Sequence, residues 1–139
     1  MSLSEDFRAF LLAQPAIAAA VGPNVHVNSV PEEVTPPYLW IRRSGGSRER
    51  SLGDAQGTPA FEERWDLEVI SDSPSETADL AASVQGIDGA KGTFGTGTIQ
   101  GLFLEDYSDE YIPKGVFSDE GLDVVAFQVV IYGYVPGGD

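Results

Sequence analysis

Cysteine is missing from this 139-residue chain altogether, which excludes a disulfide framework, a thiolate metal site and a cysteine nucleophile. Histidine is almost as scarce: His26 is the only one, so a Ser-His-Asp arrangement or an imidazole metal site would have to pass through it alone. It stands between Val25 and Val27 in a β-prone stretch, where a solvent-facing strand residue is the simpler reading. Long apolar runs are lacking too. Runs such as Val124 to Ala126 and Val129 to Tyr132 fall far short of the roughly 20 residues that span a bilayer. The first fourteen residues carry Glu5 and Asp6 where an export signal carries Lys or Arg, so the chain reads as soluble and made in the cytoplasm.

Positive charge is the other shortage. Eight Lys and Arg stand against 22 Asp and Glu, a formal charge of −14, and that sign repels phosphates, whose binding depends on cations displacing counterions. This argues against a sequence-reading DNA-binding protein, whereas a surface past which DNA slides without sticking suits the charge. What is present is ordinary for a globular protein: 42% hydrophobic and 22% charged residues. The length predicts one domain over residues 1–139 with one core.

Ser2 followed by Glu5 has the capping-box spacing, and Leu3, Phe7, Phe10 and Leu11 recur at helical intervals, so a helix is expected at once. Pro15 interrupts it and suits the first turn of a short segment that Gly22 ends. A strand is expected over Val25–Val30 and a stronger one over Tyr38–Arg43. The Gly-, Ser- and Arg-rich segment from Ser44 to Pro59 reads as a long exposed hairpin loop. Apolar and polar residues then alternate from Phe61 to Ile70, as in a strand covering a core. Ser73, Pro74 and Glu76 give an N-cap, a first-turn proline and a capping acid for a helix ending near Gly86. After a glycine-dense region, Gly89–Gly101, a strand is expected over Thr98–Leu104, then an acidic loop. The last strand, Leu122–Val135, is apolar at both parities, which calls for cover on both faces. The predicted class is α+β: a mainly antiparallel sheet of four to five strands with two helices on one face.

Motifs with chemical promise fail on inspection. Gly92, Gly95, Gly97 and Gly101 do not make a dinucleotide fingerprint, because Gln100 holds the third glycine's place and no P-loop lysine follows. Ser44, Gly45, Gly46 and Ser47 are no nucleophile elbow, since Glu49 stands where its last glycine belongs. Glu105, Asp106, Asp109 and Glu110 lack the spacing and central glycine of a calcium loop and read as a solvated acidic loop. No catalytic, cofactor or metal residues are assigned. Arg42, Arg43, Arg48 and Arg50 hold half of the basic residues in nine positions; a patch docking on an acidic neighbour fits them better than nucleic-acid binding. Trp40 and Trp65 read as core anchors.

Taken in order, Phe10 to Gly22 (FLLAQPAIAAAVG), Val25 to Val27, Pro37 to Ile41 (PYLWI), the alternating strand Glu63–Ile70, the helix after Ser73 and the strand Val124–Tyr132 resemble the phage tail-completion, or tail-terminator, proteins over nearly the whole chain. The resemblance implies a non-enzymatic structural protein of the virion, in its tail or neck, whose copies form a ring, usually of six, capping the tail tube. The partners it implies are further copies of the chain, the tail tube protein and the head–tail connector or stopper. Genome DNA would pass through without specific binding, and no membrane or cofactor is involved. On this reading Arg42, Arg43, Arg48 and Arg50 serve tube docking, and Val125, Phe127, Val129 and Ile131 serve subunit contact. Glu105, Asp106, Asp109 and Glu110 would form an acidic loop facing the lumen. A capsid or tail decoration module is the alternative, and a small hydrolase using the acidic cluster the enzymatic one.

Overall fold

The computed structural model describes residues 3–31, 34–49, 60–112 and 122–137. Helix α1 runs Leu3–Leu12, with Phe7 and Leu11, one turn apart, both wholly buried. Helix α2, Pro15–Val21, starts on its proline and ends at Gly22, whose φ of 58° is a conformation glycine adopts at little cost. Helix α3, Pro74–Gln85, forms as its sequence predicts: Ser73 Oγ accepts from the Glu76 N–H at 3.3 Å. The Glu76 carboxylate turns instead to the Ser71 hydroxyl, which donates to it at 2.8 Å. Because the segment after Pro15 is a helix of its own, three helices rather than two pack on the sheet among the described residues.

The main sheet has the order β1-β2-β3-β7-β6, with β1 Val25–Val27, β2 Tyr38–Glu49, β3 Ala60–Ser71, β6 Gly101–Ile112 and β7 Leu122–Tyr132. Only β1 and β2 run parallel; the other neighbours are antiparallel, as expected of the class. A separate hairpin joins β4, Gly92–Phe94, to β5, Gly97–Ile99. One sheet face, with Leu39, Ile41, Trp65, Leu67, Val69, Val125, Phe127, Val129, Ile131 and Leu102, forms a single core with Phe7, Leu11, Ile17, Val21, Leu80 and Val84 of the helices. The helices therefore cover that face. None of those described is long and apolar enough to cross a membrane.

Four local expectations give way. Strand β1 stops at Val27 because Asn28 takes a φ of 65°, which asparagine tolerates and which turns the chain away. The Ser44–Glu49 stretch is strand, not loop: β2 continues past a bulge between Arg43 and Gly45 and pairs with β3 as far as Glu49 against Ala60. Long-range pairing overrides the weak β propensity of Gly and Ser. Residues 50–59 lie outside the described residues. The acidic stretch Glu105–Glu110 is likewise strand, since β6 pairs with β7 through Ile112. The last strand ends at Tyr132, and Val135 instead makes a bridge to Thr98.

Candidate functional site

The second face of the sheet has no helix on it among the described residues, and its side chains are charged in rows set by the strand register. Arg42, Asp66 and Gln128 form one row, and Trp40, Glu68 and Ala126 the next. Arg42 forms an ion pair with Glu68 Oε2 at 2.6 Å, reaches Asp66 Oδ2 at 3.7 Å, and lays its guanidinium 4.1 Å over the Trp40 ring. Arg64 bridges Glu62 Oε1 at 2.5 Å and Glu105 Oε2 at 3.0 Å, thus tying β3 to β6 across β7. Those contacts, Glu105 first, push its pKa up from the ordinary guanidinium value. Among the described side chains, two arginines stand against Glu62, Asp66, Glu68 and Glu105, so the acidic groups outnumber the basic ones there. Beside them Phe103 is 44% exposed and meets Tyr132 edge-on at 5.8 Å. At the far end Ile70, Leu122 and Val124 are buried with Tyr38 and Trp40 packed on them, so Trp40 and Trp65 anchor opposite faces.

The expected docking residues fall in three places. Arg42 and Arg43 are engaged within the chain, Arg43 holding Glu63 Oε2 at 2.8 Å. Arg48 sits on β2 in register with Phe61, its side chain outside the description, and Arg50 lies outside the described residues. Val125, Phe127, Val129 and Ile131 are 8%, 3%, 0% and 0% exposed beneath the helices. They are spent on the chain's own core, so the surface β7 offers is the other parity, with Gln128 and Tyr132 half-buried there. Of the acidic group, Glu105 is bound to Arg64, and Asp106, Asp109 and Glu110 follow it along β6. His26 is half-buried rather than solvent-facing. Its Nε2 is buried without a hydrogen-bond partner among the described residues, and burial first, then Arg8, push its pKa down.

One polar centre is not visible in the sequence pattern. Asp6 is 0% exposed. Its Oδ1 accepts from the Thr96 N–H at 2.8 Å and the Thr96 hydroxyl at 2.9 Å, and its Oδ2 from the Tyr134 hydroxyl at 2.5 Å. Burial alone would raise the carboxyl's pKa, but the bonds from Tyr134 and Thr96 outweigh it and hold the pKa below the usual carboxylate value. The phenol of Tyr134 is pushed up by its own burial and by the same bond. Gly95, at φ 60°, lets the hairpin approach: a Cβ there would lie 2.5 Å from Asp6 Oδ1. Phe94 stacks on Phe7 and Phe10 at 5.7 and 5.0 Å around this centre. The only sequence sign was the glycine density. Saturated with fixed donors, the carboxylate locks α1, the β4–β5 hairpin and the C-terminal segment together. Among the described residues no three His, Cys, Asp or Glu side chains gather as a metal site.

No curated protein sequence matches this chain. Among solved structures, the fold is similar to a chain from the virion of a native gene transfer agent particle. The TM-score is 0.54 at 16% identity, covering 95% of this chain and 92% of the other, a likeness of fold. The profile described as tail completion protein gp17 matches residues 5–133, a span that holds the helix-covered sheet, the charged second face, and Asp6 and Thr96 of the polar centre. On that match the chain belongs to the tail completion protein gp17 family, structural proteins of the phage tail.

Proposed function

We propose that this protein is a tail terminator: copies of it, six in number, close into a ring that caps the tail tube and joins it to the head connector or stopper, in the neck of the virion. The family match over residues 5–133 carries this reading. The mechanism is steric. A ring seated on the last tube layer blocks further polymerisation and offers the connector a new face, a task that calls for heterologous contacts closed by cyclic symmetry. The charged, helix-free sheet face supports it. Rich in carboxylates and laced by ion pairs, that face suits a lumen past which DNA moves without adhering, and six copies of the chain would bring −84 formal charges in all.

Electron microscopy of a lysate from a phage with this gene disrupted tests the proposal. Unjoined heads beside tails of irregular or excessive length are the expected result. Complete particles with normal tails would overturn it and leave the decoration-module reading.

A further inference from the structure

The ring proposed above needs a subunit contact, and the two edges of the sheet supply complementary halves of one. At the β2 edge, β1 covers only Leu39–Ile41, and the last bond across is Asn28 N–H to Ile41 O at 2.8 Å. From Arg43 to Glu49 no strand lies on the outer side of β2 among the described residues. At the other edge, Leu102 exchanges backbone bonds with Gly89 and Ala90, and the Leu104 N–H donates to Asp88 Oδ1 at 3.0 Å. From Asp106 to Ile112 no strand lies outside β6 among the described residues. Two seven-residue lengths of ladder are thus left open, the kind of edge that recruits another strand unless charge or shape prevents it.

Charge decides which strand. The open β2 stretch is net +1 (Arg43 and Arg48 against Glu49) in a chain of −14, and the open β6 stretch is net −3 (Asp106, Asp109 and Glu110). Pairing β6 with β6 would set a −3 stretch against a −3 stretch, and β2 with β2 a +1 stretch against a +1 stretch. Only β2 with β6 joins stretches of opposite net sign, and that contact is head-to-tail, the type that closes rings of more than two copies. In the sheet β2 and β6 run in opposite directions, so a neighbour in the same orientation adds its β6 antiparallel to β2 and continues the existing alternation.

The registers also set the stagger between copies. Gly46, mid-way along the open β2 stretch, is level with Glu63, Ile131 and Leu102, whereas Asp109, mid-way along the open β6 stretch, is level with Val125, Val69 and Leu39. A neighbour's β6 would take the outer side of β2 beyond β1, so each copy adds four strands to the ring, β2, β3, β7 and β6. Matching the two therefore slides each copy along its neighbour by six to seven residues, or about 20–23 Å, across four strands about 19 Å wide. That slope is roughly 46–50°, slightly steeper than the strand tilt of about 35–45° typical of closed barrels. Six copies so tilted enclose a ring about 55 Å across at the backbone, wide enough to pass a duplex. We infer that the open edge of β2, Arg43–Glu49, pairs with the open edge of β6, Asp106–Ile112, of a second copy of this chain, making one continuous sheet around the ring.

The inference rests on the terminator reading, and a charge swap in the phage separates the two. Ser47→Glu with Arg48→Glu turns the β2 edge to −2, and Asp109→Lys with Glu110→Lys turns the β6 edge to +1. Like charges set opposite one another cost several kcal/mol, so either pair alone should lower the infectious titre by about a hundredfold or more and leave heads unjoined. All four changes in one chain should restore the titre to within about tenfold of the parent, since opposite signs meet again. Circular dichroism checks that each variant folds. If one does not, Arg48→Gln and Asp109→Asn, singly, should lower the titre in the same direction by less. Parental titre with either reversal, in a phage whose gene disruption does leave heads unjoined, overturns the edge pairing alone. Loss with each pair and no recovery with four overturns it too, by placing another partner on the edges. Normal particles after disruption remove the terminator reading itself, and the ring contact with it.

Discussion

The two faces of one sheet divide the work of this molecule. On the helix side, Ile41, Leu67, Phe127 and Val129 are essentially sealed, and the gain comes from apolar area withdrawn from water, close to 25 cal/mol per Å². On the other, Arg42 at 37% side-chain exposure trades between Asp66 and Glu68, in a medium where exposed pairs yield at most about 1 kcal/mol. Stability thus resides on the covered face, while the second face carries no helix among the described residues.

Breaking the covered face should have the largest effect. Phe7→Ala removes a wholly buried ring in contact with Trp65 and Phe94, and denaturant unfolding should show a loss of about 3–5 kcal/mol. Next comes the lock behind that face. Asp6→Ala forfeits three charge-assisted bonds and strands the Thr96 donors, a loss of about 3 kcal/mol. Because the folded pKa of Asp6 is depressed, its contribution is fully present above the unfolded carboxylate value and disappears as pH falls through the folded one. A series of melts from neutral pH into the acid range should show an acid limb in the parent that is shallower in Asp6→Asn. Gly95→Ala should cost about 1–2 kcal/mol from the positive φ alone, and more as Asp6 is displaced. Smallest is the open face: Arg42→Met should change stability by less than about 1 kcal/mol. If it costs as much as Phe7→Ala, the division between faces fails; if it leaves the melt untouched but impairs head–tail joining, the division is sharpened.

Legibility followed the range of the interactions. Local chemistry was readable: Ser73, Pro74 and Glu76 announced α3, Gly22 closed α2, and the alternation from Phe61 to Ile70 marked β3, because each depends on neighbours within a few residues. Strand status of Ser44–Glu49 and Glu105–Glu110 was not. Those residues have poor β propensity and are held by partners far along the chain, Glu49 against Ala60 and Glu110 against Val124. The same distance hid the role of β7. Both of its parities are apolar, and nothing in the spacing tells which one the helices take; the register assigns Val125, Phe127, Val129 and Ile131 to the core.

By itself, then, the sequence determined the class of fold, the lack of cysteine chemistry, the strongly acidic net charge and the pattern of a tail-completion protein, since composition and short-range periodicity suffice for these. Tertiary structure alone decided that Asp6 meets Thr96 and Tyr134, 90 and 128 residues away, and that a basic and an acidic edge bound the same sheet. Such pairings have no local signature, because strand order and register are set by the burial of a whole face at once.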